Sequence, residues 1–379
     1  MSQRDLAGAS GVALATIRKI EQGAGEGVRL ETLHKLARAL RVNTSALAAG
    51  PDAGPPERAD VDLWEPVRRA LEGRAAAAPD EEPTLSGLRE AFGAAVPLLV
   101  ADRYDEVRVL LPGFLRDADA LVALSANGTQ ADARHLRSQI RQVTAYMMSH
   151  TWQFIAAAEA IDLARDDASD RLTEQAAVDE QCWGLIRAGR FGATRALAGR
   201  WADDTEPRFS KATPDDLAAW GRLLLRLSTS AARDNQPGVA ADALTLAGAA
   251  AVASGRRDFR IASNPWNMFG PATVAMIEAE NAVVQQRPEP VLAIAGHLRR
   301  EQVPVSRVWH RHRLDVARAH MMLRQYGEAV EVLQGIRRDA PEWIVQQHGA
   351  RDIVAAVVER RRTLTDEMRD LADAVRLPL

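Results

Sequence analysis

Apolar residues recur three and four positions apart along almost the whole chain, and runs that alternate apolar with polar are nearly absent. A helix turns once every ~3.6 residues, so this spacing keeps one stripe of each segment apolar. A chain patterned in this way buries its stripes only by packing helix on helix. At 379 residues it exceeds one ordinary domain and has ample material for a large core. Three regions separate. Residues 1–50 are compact. Residues 51–83 hold two breaks, GPDAGPPERAD and AAAAPDEEPT, whose Pro, Gly and Ala content is linker chemistry, around one short amphipathic helix expected over 62–72. From residue 84 to residue 379, helices alternate with short turns.

Charge narrows the partners. The net charge is −3, so the protein is no generic polycation and any contact with nucleic acid must come from a local patch. Residues 1–50 carry seven Lys/Arg against four Asp/Glu, a local +3, and residues 51–90 carry five against ten, a local −5. The basic character is confined to the head. A single cysteine, Cys182, excludes an intrachain disulfide and a thiolate zinc site. No signal pattern opens the chain and no apolar run approaches ~18 residues, so a cytoplasmic protein is expected.

The head reads as short helices joined by tight turns. Ser2 is placed to cap the first, with Asp5 returning the bond and Met1 and Leu6 as the hydrophobic staple. Gly11 permits the turn. Val12, Ile17 and Ile20 form the buried side of the next helix, which Gly23 ends, while Ala15, Arg18, Lys19 and Gln22 recur on one exposed face. Leu30, Leu33, Leu36, Ala37 and Leu40 give a third helix its apolar face. Asn43 is expected to cap a fourth, stapled by Val42 and Leu47.

Gln3, Ala7, Gly11-Val12, Thr16-Ile17, Ile20-Glu21, Gly23 and LETLHKLARAL carry a resemblance to the Xre-type helix-turn-helix family, which includes the Cro-like phage repressors. The resemblance covers about the first fifty residues. It implies that Gln3 contacts DNA from the start of the first motif helix. It puts Leu14, Ala15, Arg18 and Lys19 on the recognition face, and Thr16 and Gln22 against phosphates. Arg18 or Lys19 could donate to guanine O6 and N7, and Leu14 or Ala15 could touch a thymine methyl. The blander reading makes Arg18 and Lys19 a solvated helix face. Two departures stand out: the family usually has a polar residue where Leu14 stands, and it has another helix before the motif. The expectation is that the true start lies upstream of Met1; the rival is a degenerate head.

HRHRLDVARAHMMLRQYGEAVEVLQGIRRDAPEW, residues 310–343, resembles one tetratricopeptide repeat. Val316 and Ala317 take the small contact positions of its first helix, Tyr326 the turn aromatic, Ala329 the small residue of the second, and Leu333 and Ile336 its packing face. Arg313 stands where Trp is expected. Weaker echoes surround Tyr104, Phe191, Ala240 and Val291. The expected body is an α-α superhelix in which each hairpin buries its apolar face against its neighbours and leaves a concave groove. ARDIVAAVVERRR and TDEMRDLADAVRL would close it. By repeat geometry Arg311, Leu314, Arg318, Met321 and Met322 face that groove. Thr273 and Glu280 face it from the preceding unit, and SNPWNMFGP offers Trp266, Asn267 and Phe269. Arginines beside adaptable methionines suit an anion with an apolar tail, such as a peptide carboxylate. The candidate ligand residues are Asn267, Thr273, Glu280, Arg311, Arg318 and Met321.

Other features dissolve on inspection. His310 and His312 are two apart on a helix and point to different sides, so no metal site is expected. GAGEG follows a helix and not a strand, which removes the nucleotide-loop reading. No nucleophile-base arrangement, cofactor motif or other sign of an enzyme is present. The combination of a helix-turn-helix head with a tetratricopeptide-like body resembles the Xre-type regulators of actinobacteria. It also resembles the pheromone-sensing regulators of Gram-positive bacteria, whose repeat domain binds a peptide and dimerises. The resemblance implies an all-α protein that binds double-stranded DNA as a homodimer and senses a peptide or small molecule. The alternative is a protein-interaction scaffold with a vestigial head.

Overall fold

The computed structural model describes residues 1–22, 28, 30–47, 63–73, 81–126, 128–298, 307–360 and 364–377, without the side chains of residues 30, 31 and 307. The helix end expected at Gly23, the GAGEG loop and the linker over 51–61 lie outside the described residues.

The head consists of α1 Gln3–Ser10, α2 Leu14–Glu21, α3 Leu30–Leu40 and a 3-10 turn, Thr44–Ala46. Its first helix opens on the expected capping box: Ser2 Oγ accepts from the Asp5 N–H and the Asp5 carboxylate accepts from the Ser2 N–H. Gly11 ends that helix at φ 67°, the left-handed conformation that costs glycine little. Val12, Ile17 and Leu36 form a small core, and Leu6, Ala7, Ile20 and Leu47 pack against it. Three local expectations fail. Met1 is 74% exposed, so the staple onto Leu6 is not made. Leu40 and Val42 are exposed as well. Asn43 precedes the 3-10 turn without a side-chain capping bond.

After α4, Glu65–Leu71, the body is built from paired helices. The pairs are α5 Leu85–Val100 with α6 Tyr104–Leu124, α7 Gln130–His150 with α8 Phe154–Asp166, and α9 Arg171–Arg187 with α10 Phe191–Asp204. They continue as α11 Pro214–Arg233 with α12 Pro237–Ala253, α13 Pro271–Val284 with α14 Pro288–His297, and α15 Arg307–Met322 with α16 Tyr326–Asp339. One turn recurs inside every pair. Asp102, Trp152, Gly189, Asn235, Gln286 and Arg324 all have positive φ, and each stands two residues before the second helix. The next N–H then reaches back to close the first helix: Arg103 to Leu98, Gln153 to Met148, Arg190 to Leu185, Gln236 to Ala231, Arg287 to Ala282 and Gln325 to His320. The segment 310–343 is thus one of a series of like hairpins. Ala317, Ala329, Leu333 and Ile336 are fully buried in it. Arg313 replaces the expected Trp by lying over Gly335 and pairing with Asp339 at 2.6 Å. α17 Pro341–Val345, α18 His348–Arg360 and α19 Asp366–Ala374 finish the stack.

The expected open groove is corrected in two ways. Solenoid repeats ordinarily meet only their neighbours, yet here the last repeats return to the first. His310 Nδ1 lies 3.3 Å from Asp102 Oδ2, and the Asp105 N–H donates to Glu342 Oε2 at 2.9 Å. One apolar core accordingly joins Trp64 and Phe92 to Trp343 and Val375. The second correction is a strand pair that the helical periodicity does not reveal. β1 Phe259–Ile261 and β2 Asn264–Phe269 run antiparallel, Phe259 opposite Phe269. Trp266 of this hairpin meets Phe92 of α5 edge-on, ring centroids 6.3 Å apart. The groove is thereby narrowed to a cavity. No helix among the described residues is long and apolar enough to cross a membrane.

Candidate functional site

The head rests on the body by one edge. His34 Nδ1 is 3.0 Å from the Arg233 carbonyl, which can only accept, so the imidazole carries its proton on Nδ1. The Ser45 N–H donates to Asp234 Oδ1 at 2.8 Å. Asn235 Nδ2 donates to the Val42 carbonyl and Gln236 Nε2 to Asn43 Oδ1, both at 3.0 Å. Arg38 Nη1 donates to the Gln285 carbonyl at 3.1 Å. The cap that Asn43 does not supply to the 3-10 turn therefore comes from Asp234, across the interface. Burial lowers the pKa of His34, favouring its neutral form in the docked head.

Every one of these bonds lands on α3 or the segment 42–45, and α2 is left facing outward. Ala15, Thr16, Arg18, Lys19 and Gln22 are exposed and Leu14 is half-buried, so the residues proposed to read DNA share one open surface. Gln3 joins them: its Nε2 donates to Glu21 and its Oε1 accepts from Arg18 Nε at 3.4 Å. The contact steadies the arginine stem but leaves its terminal nitrogens uncommitted to Gln3. A helix of this width with donors along its outer side fits the major groove.

The second site is a cavity of about 60 Å³ inside the body. That is room for a few waters or one small polar group. Four of the six candidate ligand residues line it: Asn267, Thr273, Glu280 and Arg311. Thr273 spends its hydroxyl on Asp258, whose carboxylate also takes the Ala272 and Thr273 N–H groups at the start of α13. Asn267 Nδ2 donates to Glu180 Oε1 at 3.1 Å. The other two are corrections. Arg318 lies against Gly349 of α18, where an added Cβ would meet its Nη2 at 2.3 Å, and Met321 packs on the main core. Leu314 belongs to that core and Met322 to a separate cluster with Val291. Trp266 and Phe269 are buried too, the Phe269 ring directly over Gly221.

Tyr146, His150, Trp183, Arg222, Arg226 and Trp343 share the wall with them, and no motif in the sequence marks these six. Arg222 and Arg226 are four apart within WGRLLLRLSTS, and charges at that spacing inside an apolar helix were the available signal. Both reach Asp179 on α9, at 2.7 Å. Burial alone would raise the Asp179 carboxyl, but the two guanidinium charges outweigh it and hold the group below its ordinary range. Glu280 is held low in the same way: burial opposes its charge, and Arg233 at 2.5 Å and Arg311 at 3.7 Å restore it. Arg226 and Arg311 each lie over the Trp183 ring, 4.8 and 4.5 Å from its centroid. Trp183 Nε1–H donates to His150 Nε2 at 3.1 Å, so His150 carries its proton on Nδ1, toward the Tyr104 hydroxyl at 3.2 Å. The cavity is thus walled by fixed cations, the ionised carboxylate of Glu280 and an oriented indole. Cys182 is buried beside it, and burial pushes its thiol up, away from the reactive thiolate. Among the described residues no cluster of His, Cys, Asp or Glu could hold a metal ion.

Residues 1–47 match the family described as Helix-turn-helix. No curated protein and no solved structure matches the chain. The head is therefore an Xre-type helix-turn-helix domain, the kind of unit on which DNA-binding transcription regulators are built, followed by a mostly helical body.

Proposed function

We propose that the protein is a sequence-specific transcription regulator that binds double-stranded DNA through α2 and senses a small anion, or the carboxylate of a peptide, in the body cavity. The observation that carries the DNA half is the way the head sits: docked by α3 and the 3-10 turn, with Ala15, Thr16, Arg18, Lys19 and Gln22 exposed on α2. Arg18 and Lys19 donate to base edges or phosphates, and Gln3 steadies Arg18. One head makes few phosphate contacts, so specific affinity calls for two heads on one duplex and hence a homodimer. The ligand half rests on Arg311 and Arg226, whose guanidinium groups wall the cavity beside Trp183. A bound carboxylate takes charge-assisted bonds from them.

Gel shifts on the promoter of the protein's own gene, repeated over a salt series, test the DNA half. Replacing Arg18 and Lys19 together by alanine abolishes the specific shift and flattens the salt dependence, with thermal stability unchanged. An unaltered shift in that variant removes α2 as the reading face and favours the scaffold with a vestigial head.

A further inference from the structure

Head and cavity share one short stretch of chain, the last turn of α11 and the loop into α12. On its outer side four consecutive residues hold the head: the Arg233 carbonyl, the Asp234 carboxylate, the Asn235 amide and the Gln236 amide. On its inner side the Arg233 guanidinium donates to Glu280 Oε1 at 2.5 Å, and Glu280 is a wall of the cavity. The same Glu280 oxygen lies 3.7 Å from Arg311 Nη1. From the flank, Arg195 fixes the loop: Nη2 donates to Asp234 Oδ2 at 2.7 Å and Nη1 to Gln236 Oε1 at 3.1 Å. Arg233 is thus the residue whose side chain answers to the cavity and whose backbone answers to the head.

We propose that Arg233 is the latch between the two sites: it holds the head in place while Glu280 holds it, and an anion arriving at Arg311 releases it. The proposal rests on the reading of the cavity as an anion site. The physical case is charge competition in a confined space. Glu280 is ionised and shares its charge between Arg233 and Arg311. A second carboxylate against Arg311 stands close to Glu280, where like charges at low dielectric repel strongly. That repulsion weakens the hold of Glu280 on its other partner, and Arg233 comes away from it. Its helix ends at residue 233, so the loss of that anchor loosens the final turn, where the carbonyl accepts from His34. The neighbouring Asp234 cap on Ser45 shifts with it. A head set free at this edge no longer has a fixed spacing to its twin, which is how ligand would reach DNA affinity.

Hydrogen–deuterium exchange of the full chain tests the latch without DNA or ligand. Glu280→Gln removes the charge that secures Arg233 while keeping the side chain's shape. The expected result is at least tenfold faster exchange in peptides spanning Ser45, whose N–H is bonded to Asp234, with exchange in α9 unchanged. Arg233→Gln, at the edge of the cavity, gives the same local increase. If Glu280→Gln also loosens α9, a double-variant cycle decides. With Arg233→Gln and His34→Ala, coupling makes the unfolding constant of the pair differ at least fivefold from the product of the singles. Unchanged Ser45 protection in both single variants with α9 intact overturns the latch, as does a multiplicative cycle. A protein that passes these tests and fails to bind any promoter keeps the latch and loses the proposed function, so the two failures are distinct.

Discussion

The head and the body are both helical, but they become ordered at different ranges along the chain. In the head, Val12, Ile17 and Leu36 are the buried centre, and the devices that shape its first two helices lie within a few residues: a capping box at Ser2 and Asp5, a left-handed Gly11, a short apolar stripe on each helix. In the body the largest core runs from Trp64 to Val375, beside a second one that includes Val178, Leu223 and Phe269, and it is tied by contacts between residues two hundred or so apart, such as Asp102 with His310. A core of so few side chains gains little by hydrophobic burial. The head consequently leans on the body through polar bonds at His34, Arg38 and Ser45 and leaves α2 clear. The difference teaches that the small domain's exposed α2 surface is a local product, while its placement is a product of the whole.

The sharpest way to break that contrast is to attack the body at a charge it cannot replace. Asp179 is the common partner of Arg222 and Arg226, all three buried or nearly so. Asp179→Ala leaves two guanidinium groups unpaired in the interior and costs about 4 kcal/mol, read as a lower midpoint in urea unfolding. Gly221→Ala comes next. The added methyl group would lie 2.2 Å from Phe269 Cζ, and that ring is fully buried under α11. The hairpin must shift to admit it, at about 3 kcal/mol or less. Circular dichroism of this variant keeps its helical signal, because the damage is to packing and not to helices.

These two sites also show where the sequence speaks. The capping box, the Gly11 turn and the exposed face of α2 follow rules that operate within one helix, and all three can be read from the residues alone. Repeat register carried Glu280, Thr273 and Arg311 to the cavity wall. It failed for Arg318 and Met321, because α18 and the main core cover that part of α15. The recurring turn is nearly invisible in sequence. Of the six positive-φ positions only Gly189 is glycine, and the others are Asp102, Trp152, Asn235, Gln286 and Arg324. The usual glycine mark is absent, so the unit that begins its second helix at Phe154 carries no turn signal in its sequence. The hairpin was hidden for a different reason: its strands are three and six residues long, too short for periodicity to separate from helix.

A gentler probe works on the head. Ser2→Ala removes the Oγ that accepts from the Asp5 N–H, on an exposed first turn. The expected cost is about 0.5–1 kcal/mol, confined to the first helix and its neighbour. Faster amide exchange in α1 and α2 with no change in the body would show that the head's local order is separable from the body's. Equal changes in both would merge them into one cooperative unit.

The smallest effect expected in the wild-type chain is its dependence on pH, because two buried groups on α15 oppose one another. His312 is lowered to about 4 by burial, from an ordinary value of 6.5. In that window the unfolded chain binds the proton and the folded one does not, so stability from this site is present above pH 6.5 and is lost as pH falls through about 4. Asp315 is pushed up to about 7 by burial, with the nearby Glu280 charge adding to it, from an ordinary 3.8. Here the folded chain keeps the proton that the unfolded chain has lost, so the contribution is full below 3.8 and disappears as pH rises through about 7. Between pH 4 and 6.5 the slopes have opposite signs and largely cancel. Separating them exposes each. Asp315→Asn makes stability climb with pH across that range, and His312→Phe makes it fall. Urea midpoints at pH 4.5, 5.5 and 6.5 read both slopes, and parallel profiles for the two variants would mean that neither group is buried in the ionisation state assigned to it.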